Sequence, residues 1–158
     1  MKTVIKLALD LRNILERDHA KLDSMGFPFI NMFPYDCCRE ASVFLGLIAN
    51  KYYPNNTIHV VLGTTHDKSK RHYWVEINDK IYDIAIEQFS LWDNLKEQCP
   101  DYPIYALENH PLESYFCHKV RYSLVQVFSL YCRESAMLKD VITINDLLIN
   151  KLKELGWL

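Results

Sequence analysis

The chemistry of this chain begins with two adjacent thiols. In the stretch Phe33-Pro34-Tyr35-Asp36-Cys37-Cys38-Arg39-Glu40-Ala41-Ser42, Cys37 and Cys38 stand at the predicted first turn of a helix, directly after a proline-containing loop. The free N–H groups and the positive dipole end of a helix start stabilise an anion, and the thiolate is the form of cysteine that attacks carbonyl carbon. A nucleophile of this kind needs a base and a group that orients the base. His72 and Asp83 supply those two types on successive predicted strands, so Cys38 or Cys37, His72 and Asp83 form a candidate triad. Backbone N–H groups at the helix start point to oxyanion stabilisation, with the Asn31 side chain as a weaker candidate donor.

The elements that must position these groups follow from pattern. Val4, Leu7, Ala8, Leu11, Ile14 and Leu15 paint one stripe of a first helix. Gly26, Pro28, Asn31 and Pro34 mark an irregular, partly buried loop over Asp23 to Asp36. Asp36 is the expected N-cap of a second helix ending near Tyr52, with Val43, Phe44, Leu47 and Ile48 on its buried face. Strands are expected over Thr57 to Leu62 and Arg71 to Ile77, separated by a polar turn region whose Lys68-Ser69-Lys70-Arg71 run reads as a solvated tip.

Asn78-Asp79 then reads as a two-residue hairpin turn, because both residues tolerate positive φ. Register follows: Ile77 faces Lys80, Val75 faces Tyr82, and His72 and Asp83 become a diagonal pair about 7–8 Å apart at the backbone on one face. Beyond the hairpin, Tyr102 to Leu107 is a possible short strand, and Pro111 to about Lys139 is expected to be mostly helical. A last helix is expected to open at Thr143 as cap, with Asp146 in its first turn, and to close at Gly156. The whole reads as one α+β domain over 1–158, with a core at about 24–108 and a helical C-terminal part at about 111–158.

Composition sets bounds on this reading. At 158 residues a single domain buries roughly 70% of the surface its unfolded chain exposes, so a real core is available. A net charge of -2 gives no electrostatic footprint for nucleic acid. Lys6, Asp10 and Arg12 interrupt the N-terminal apolar runs, so neither a signal peptide nor a membrane span is expected. Five irregularly spaced cysteines, Cys37, Cys38, Cys99, Cys117 and Cys132, argue against a secreted disulfide framework and for a reducing cytoplasm, the chain's own or that of a host or competitor cell. Cys99, Cys117 and Cys132 read as packing residues. His59, His66 and His72 with a cysteine lack a recognised ligand spacing, so no metal and no cofactor is expected. His110 and His118 read as surface or capping residues, Trp74 as core or pocket wall, Glu76 as a solvated edge or ion pair, and Gln88-Phe89 as an anchor after the hairpin.

Taken together, Phe33-Pro34-x-x-Cys37-Cys38-x-x-Ala41-Ser42, His72-x-Trp74-x-Glu76 and Asp83 with Gln88-Phe89 resemble the motifs FPxxCCxxAS, HxWxE and DxxxxQF of small bacterial proteins in the papain-like and transglutaminase-like superfamily. The resemblance covers residues 33–89 in order and implies a papain-like core, with the nucleophile-bearing helix packed on a small antiparallel sheet. It implies Cys38 as nucleophile, His72 as base and Asp83 as orienter. Cys37 is the alternative nucleophile, and Asn31, Arg39, Trp74 and Gln88 are candidate substrate or oxyanion contacts. Arg39 replaces a frequent Gly and Tyr73 a frequent Ala, which puts side chains where substrate would be crowded or recognised. The function implied is a cysteine-dependent hydrolase or acyl-transfer enzyme acting on a protein, peptide or small amide or thioester, of peptidase or glutamine deamidase type. The alternative is a papain-like binding module without turnover.

Overall fold

The computed structural model describes residues 2–158. It is α+β: a five-stranded antiparallel sheet with four α-helices. Helix α1 (Val4–Ser24) starts at Thr3, whose side chain accepts from the Lys6 N–H, and extends well past Leu15 because Leu22 continues the buried stripe of Leu7, Leu11, Ile14 and Leu15. Gly26, at φ 87, turns the chain out of the helix. A short 3-10 turn, Ile30–Met32, and a cis Phe33–Pro34 peptide then lead to α2 (Cys38–Tyr52).

Strands β1 (Ile58–Thr64), β2 (Arg71–Ile77) and β3 (Lys80–Asp83) form a meander, β4 (Ile104–Leu107) pairs with β3, and β5 (His118–Ser123) pairs with β1. The sheet order is therefore β4-β3-β2-β1-β5. Asn78 and Asp79 both adopt positive φ, at 49° and 61°, and the register is Ile77 with Lys80 and Val75 with Tyr82, as the two-residue turn requires.

Both faces of the sheet are covered. Val60, Val75, Ile77 and Tyr82 join Phe44, Leu45 and Ile48 of α2 in the larger core, where Phe27 stacks on Phe44 at 4.9 Å. Their neighbours Val61, Trp74 and Ile81 point the other way, into a second core with Ile86, Phe89, Leu112 and Phe116. This two-sided burial explains why the β1 sequence is a nearly unbroken apolar run instead of an alternating one.

Two expectations are corrected. The segment from Pro111 is not mostly helical: residues 118–123 are the edge strand β5, and helix α3 (Leu124–Glu134) begins only at the Ser123–Gln126 capping box. Val120, between Lys119 and Arg121, lies in this exposed edge strand and pairs with Leu62 of β1. Thr143 does not cap the last helix. Helix α4 (Leu138–Glu154) starts at Met137, and the Thr143 hydroxyl donates back to the Lys139 carbonyl at 2.9 Å from inside the helix. Gly156, at φ 86, follows its end. Among the described residues, no helix is long and apolar enough to cross a membrane.

Candidate active site

The loop ahead of α2 delivers the two thiols to different surroundings. Cys37 occupies the N-cap position and is fully buried, and that burial, followed by the neighbouring Cys38 and Glu40, pushes its thiol well above the usual range. Cys38, one residue on, is half-buried in the first helical turn, where backbone N–H groups lack helical acceptors. Of the pair, Cys38 is the accessible thiol and Cys37 is packed. Asp36 is corrected from its expected capping role: it takes a left-handed φ of 55°, a conformation Asp tolerates, and no side chain caps the helix.

The hairpin brings His72 and Asp83 together as its register demands. His72 Nε2 lies 2.5 Å from Asp83 Oδ2, and both side chains are buried. Burial pulls the imidazole toward the neutral form, but the Asp83 charge and hydrogen bond, with a further contribution from the adjacent Cys38 sulfur, raise its pKa from 6.5 to about 10. Burial acts on Asp83 in the opposite sense and is outweighed by the His72 charge and by two imidazole hydrogen bonds, which hold the carboxyl below the usual carboxylate range. With Nε2 committed to Asp83, Nδ1 is the ring nitrogen left to face the Cys38 sulfur. The Gln88 amide, 3.5 Å from Nδ1, is at the outer limit of a hydrogen bond and does not set the ring's charge.

The second imidazole on Asp83 is His110, and it corrects the surface or capping reading. His110 is 2% exposed, its Nε2 lies 2.9 Å from Asp83 Oδ2, and its Nδ1 accepts the Leu112 N–H at 3.1 Å. That backbone bond places the ring proton on Nε2, so a neutral His110 donates to Asp83. Burial lowers its pKa, in keeping with the neutral form. Asp83 Oδ1 in turn accepts the Ala85 N–H at 3.0 Å. The carboxylate thus has three donors holding it against the back of His72. His110 lies on the loop after β4, 27 residues from Asp83, and nothing in its spacing signals the contact.

Aromatic walls fix the rings. Trp74 stacks on His110 at 4.2 Å, and Phe89 meets His72 edge-on at 4.8 Å. Gly63 sits opposite His72 in the β1–β2 ladder, and a Cβ there would lie 2.6 Å from the Trp74 ring and 2.8 Å from Phe116 Cβ. Only glycine leaves room for this wall. Arg12 of α1 joins the two halves of the site: it pairs with Glu87, donates to the Ile84 carbonyl just after Asp83, and lies over the Phe33 ring at 4.5 Å.

The candidate substrate contacts separate. Trp74 is fully buried, and Gln88 is 8% exposed with its amide donating to the Ala85 carbonyl at 2.9 Å beside the Nδ1 edge of His72, so both are wall residues of the site. Arg39 is drawn away toward α3, where its guanidinium bonds Glu134 at 2.8 Å and Ser135. Tyr73, the other departure from the motif, lies within the fields of Arg39 and Cys38, and burial raises its pKa. Asn31 is exposed in the 3-10 turn ahead of the loop that carries the two cysteines. Glu76 forms the ion pair that was one of its two expected roles, accepting from Arg121 Nε and Nη2 at 2.5 and 3.1 Å.

Among the described residues, two groups of side chains have the makeup of metal ligands: His72, Asp83 and His110, buried, and His66, Cys117 and His118, exposed. In the buried group both Nε2 atoms meet one and the same carboxylate oxygen at hydrogen-bond distance, a geometry that serves shared protons and not a common metal, whose ligands stand about 3 Å or more apart. Comparison of the chain with protein-family models, with curated proteins and with solved structures finds no match in any of the three.

Proposed function

We propose that the protein is a papain-like, cysteine-dependent hydrolase or acyl-transfer enzyme that acts on an amide, peptide or thioester, with peptidase or deamidase chemistry as its default. The observation that carries this reading is the His72 ring, held through Nε2 by Asp83 with Cys38 beside it at a helix start. The Cys38 thiolate attacks the carbonyl carbon and a C–S bond forms. The developing oxyanion is met by N–H groups of the first turn of α2. Imidazolium His72 gives its proton to the leaving amine as the C–N bond breaks. Water then attacks the thioester, His72 takes one of its protons, and the C–S bond breaks to release the acid and restore the thiolate–imidazolium pair.

The test is intact-mass analysis after one equivalent of iodoacetamide, run in a Cys117→Ser background because Cys117 is the exposed thiol. A single adduct on Cys38 is expected, lost in Cys38→Ala and slowed about 100-fold or more in His72→Ala. Equal labelling of several cysteines, indifferent to His72→Ala, overturns the activated-thiol reading. The complete burial of His72 favours a second reading, a papain-like binding module without turnover. Selective labelling of Cys38 with no covalent acyl adduct from any of a set of peptide amides and thioesters would support that module.

A further inference from the structure

Pairing of β1 with β5 sets Thr64 opposite His118, so the turn that leaves β1 and the segment that enters β5 lie side by side. His66 comes from the first and Cys117 and His118 from the second, and one ligand atom from each lies within 4.8 Å of the others. The two imidazoles stack with centroids 5.6 Å apart. Among the described residues, no hydrogen bond or ion pair engages any of these three side chains.

The turn that presents His66 is held in shape. Asp67 Oδ1 accepts the Thr65 hydroxyl at 2.6 Å, the Ser69 N–H at 3.0 Å and the Ser69 hydroxyl at 2.8 Å, and Thr65 Oγ1 accepts the Lys70 N–H at 3.1 Å. These bonds also hold the Asp67 carboxyl down at about 2, the Thr65 hydroxyl first. A hollow of about 380 Å³ runs between this turn and Cys117, with His66 and Asp67 on its wall.

From this juxtaposition we infer a second site, one that binds a zinc-class divalent ion through His66, Cys117 and His118. A thiolate with two neutral imidazoles is the donor set of a borderline-soft metal, in contrast to the oxygen ligands that magnesium or calcium take. Zinc–nitrogen and zinc–sulfur bonds of about 2.0–2.3 Å place tetrahedral ligand atoms about 3–4 Å apart, close to the 4.8 Å within which the three atoms already lie. Three protein ligands leave the fourth position to solvent. The bound ion ties the β1–β2 turn to the start of β5, next to Phe116, whose ring lies 5.6 Å from His72. The site is separate from the proposed triad and does not depend on it.

The experiment is titration of the metal-free, reduced protein with Co²⁺, followed by displacement with Zn²⁺. Saturation at one equivalent is expected, with a thiolate-to-cobalt charge-transfer band that survives in Cys38→Ala and disappears in Cys117→Ser. His66→Ala and His118→Ala should each weaken uptake by at least about 10–100-fold. Zn²⁺ should also protect Cys117 from alkylation in the wild-type chain. Circular dichroism of the variants checks that they fold. No saturable band, or a band that Cys117→Ser leaves intact, overturns the site; a band that follows Cys38 or His72 moves the ion to the triad and overturns it equally.

Discussion

Two histidine pairs in this protein share a third polar partner, and they differ in almost every other respect. His72 and His110 converge on Asp83 inside the smaller core, walled by Trp74, Phe89 and Phe116. His66 and His118 meet beside Cys117 at the exposed end of β1 and β5. In the first, donors and acceptors satisfy one another, as burial requires. In the second, the polar atoms need no internal partner because water reaches them. The same residue types thus hold protons where water is excluded and stay available to a ligand where it is not.

That contrast is broken most directly at Asp83. Asp83→Ala removes the shared acceptor of two buried imidazoles and should cost about 3–5 kcal/mol in urea unfolding, as loss of one partner of a buried pair does. An unfolding midpoint that barely moves would show the cluster is not the interior anchor described here. Next in size, Gly63→Ala forces a methyl into the Trp74 and Phe116 wall at 2.6 and 2.8 Å and should destabilise by about 1–3 kcal/mol. Slower alkylation of Cys38 should accompany it.

His110→Phe tests the buried side of the contrast, because it deletes a buried donor to Asp83 without touching Cys38. A loss of about 1–3 kcal/mol is expected, together with a shifted pH profile of Cys38 alkylation, which a packing role alone would leave in place. The two buried rings also carry opposite pH signatures. His72, raised from 6.5 to about 10, contributes stability that is full below pH 6.5 and is lost as pH rises through about 10. His110 is shifted down, so its share is present above pH 6.5 and fades as pH falls through its lowered value. Unfolding midpoints measured across that range should show an alkaline arm that His72→Gln removes and Cys117→Ser does not. Smallest of all, Cys117→Ser and His66→Ala in metal-free buffer should change stability by no more than about 0.5 kcal/mol, as exposed substitutions do.

What was legible in the chain was local. The stripe from Leu7 to Leu15 made a helix because period 3.6 is a property of neighbouring residues, and Asn78-Asp79 fixed the β2–β3 register because a two-residue turn leaves no slack. Through that turn the sequence alone set His72 against Asp83, eleven positions apart. Asp36, Thr143 and the strand at 118–123 escaped it: capping types occur at many places where no helix starts, and the edge strand exists only because β1 offers it a partner.

Long-range closure decided the rest. His110 reaches Asp83 only when the chain returns through β4, Arg39 turns aside only because α3 ends beside it, and His66 meets Cys117 and His118 only when β5 lies down on β1. None of these contacts has a period or a fixed spacing for the sequence to display. Each is set by which surfaces pack and which buried polar atoms must then find partners, a condition that does not exist until the core has formed.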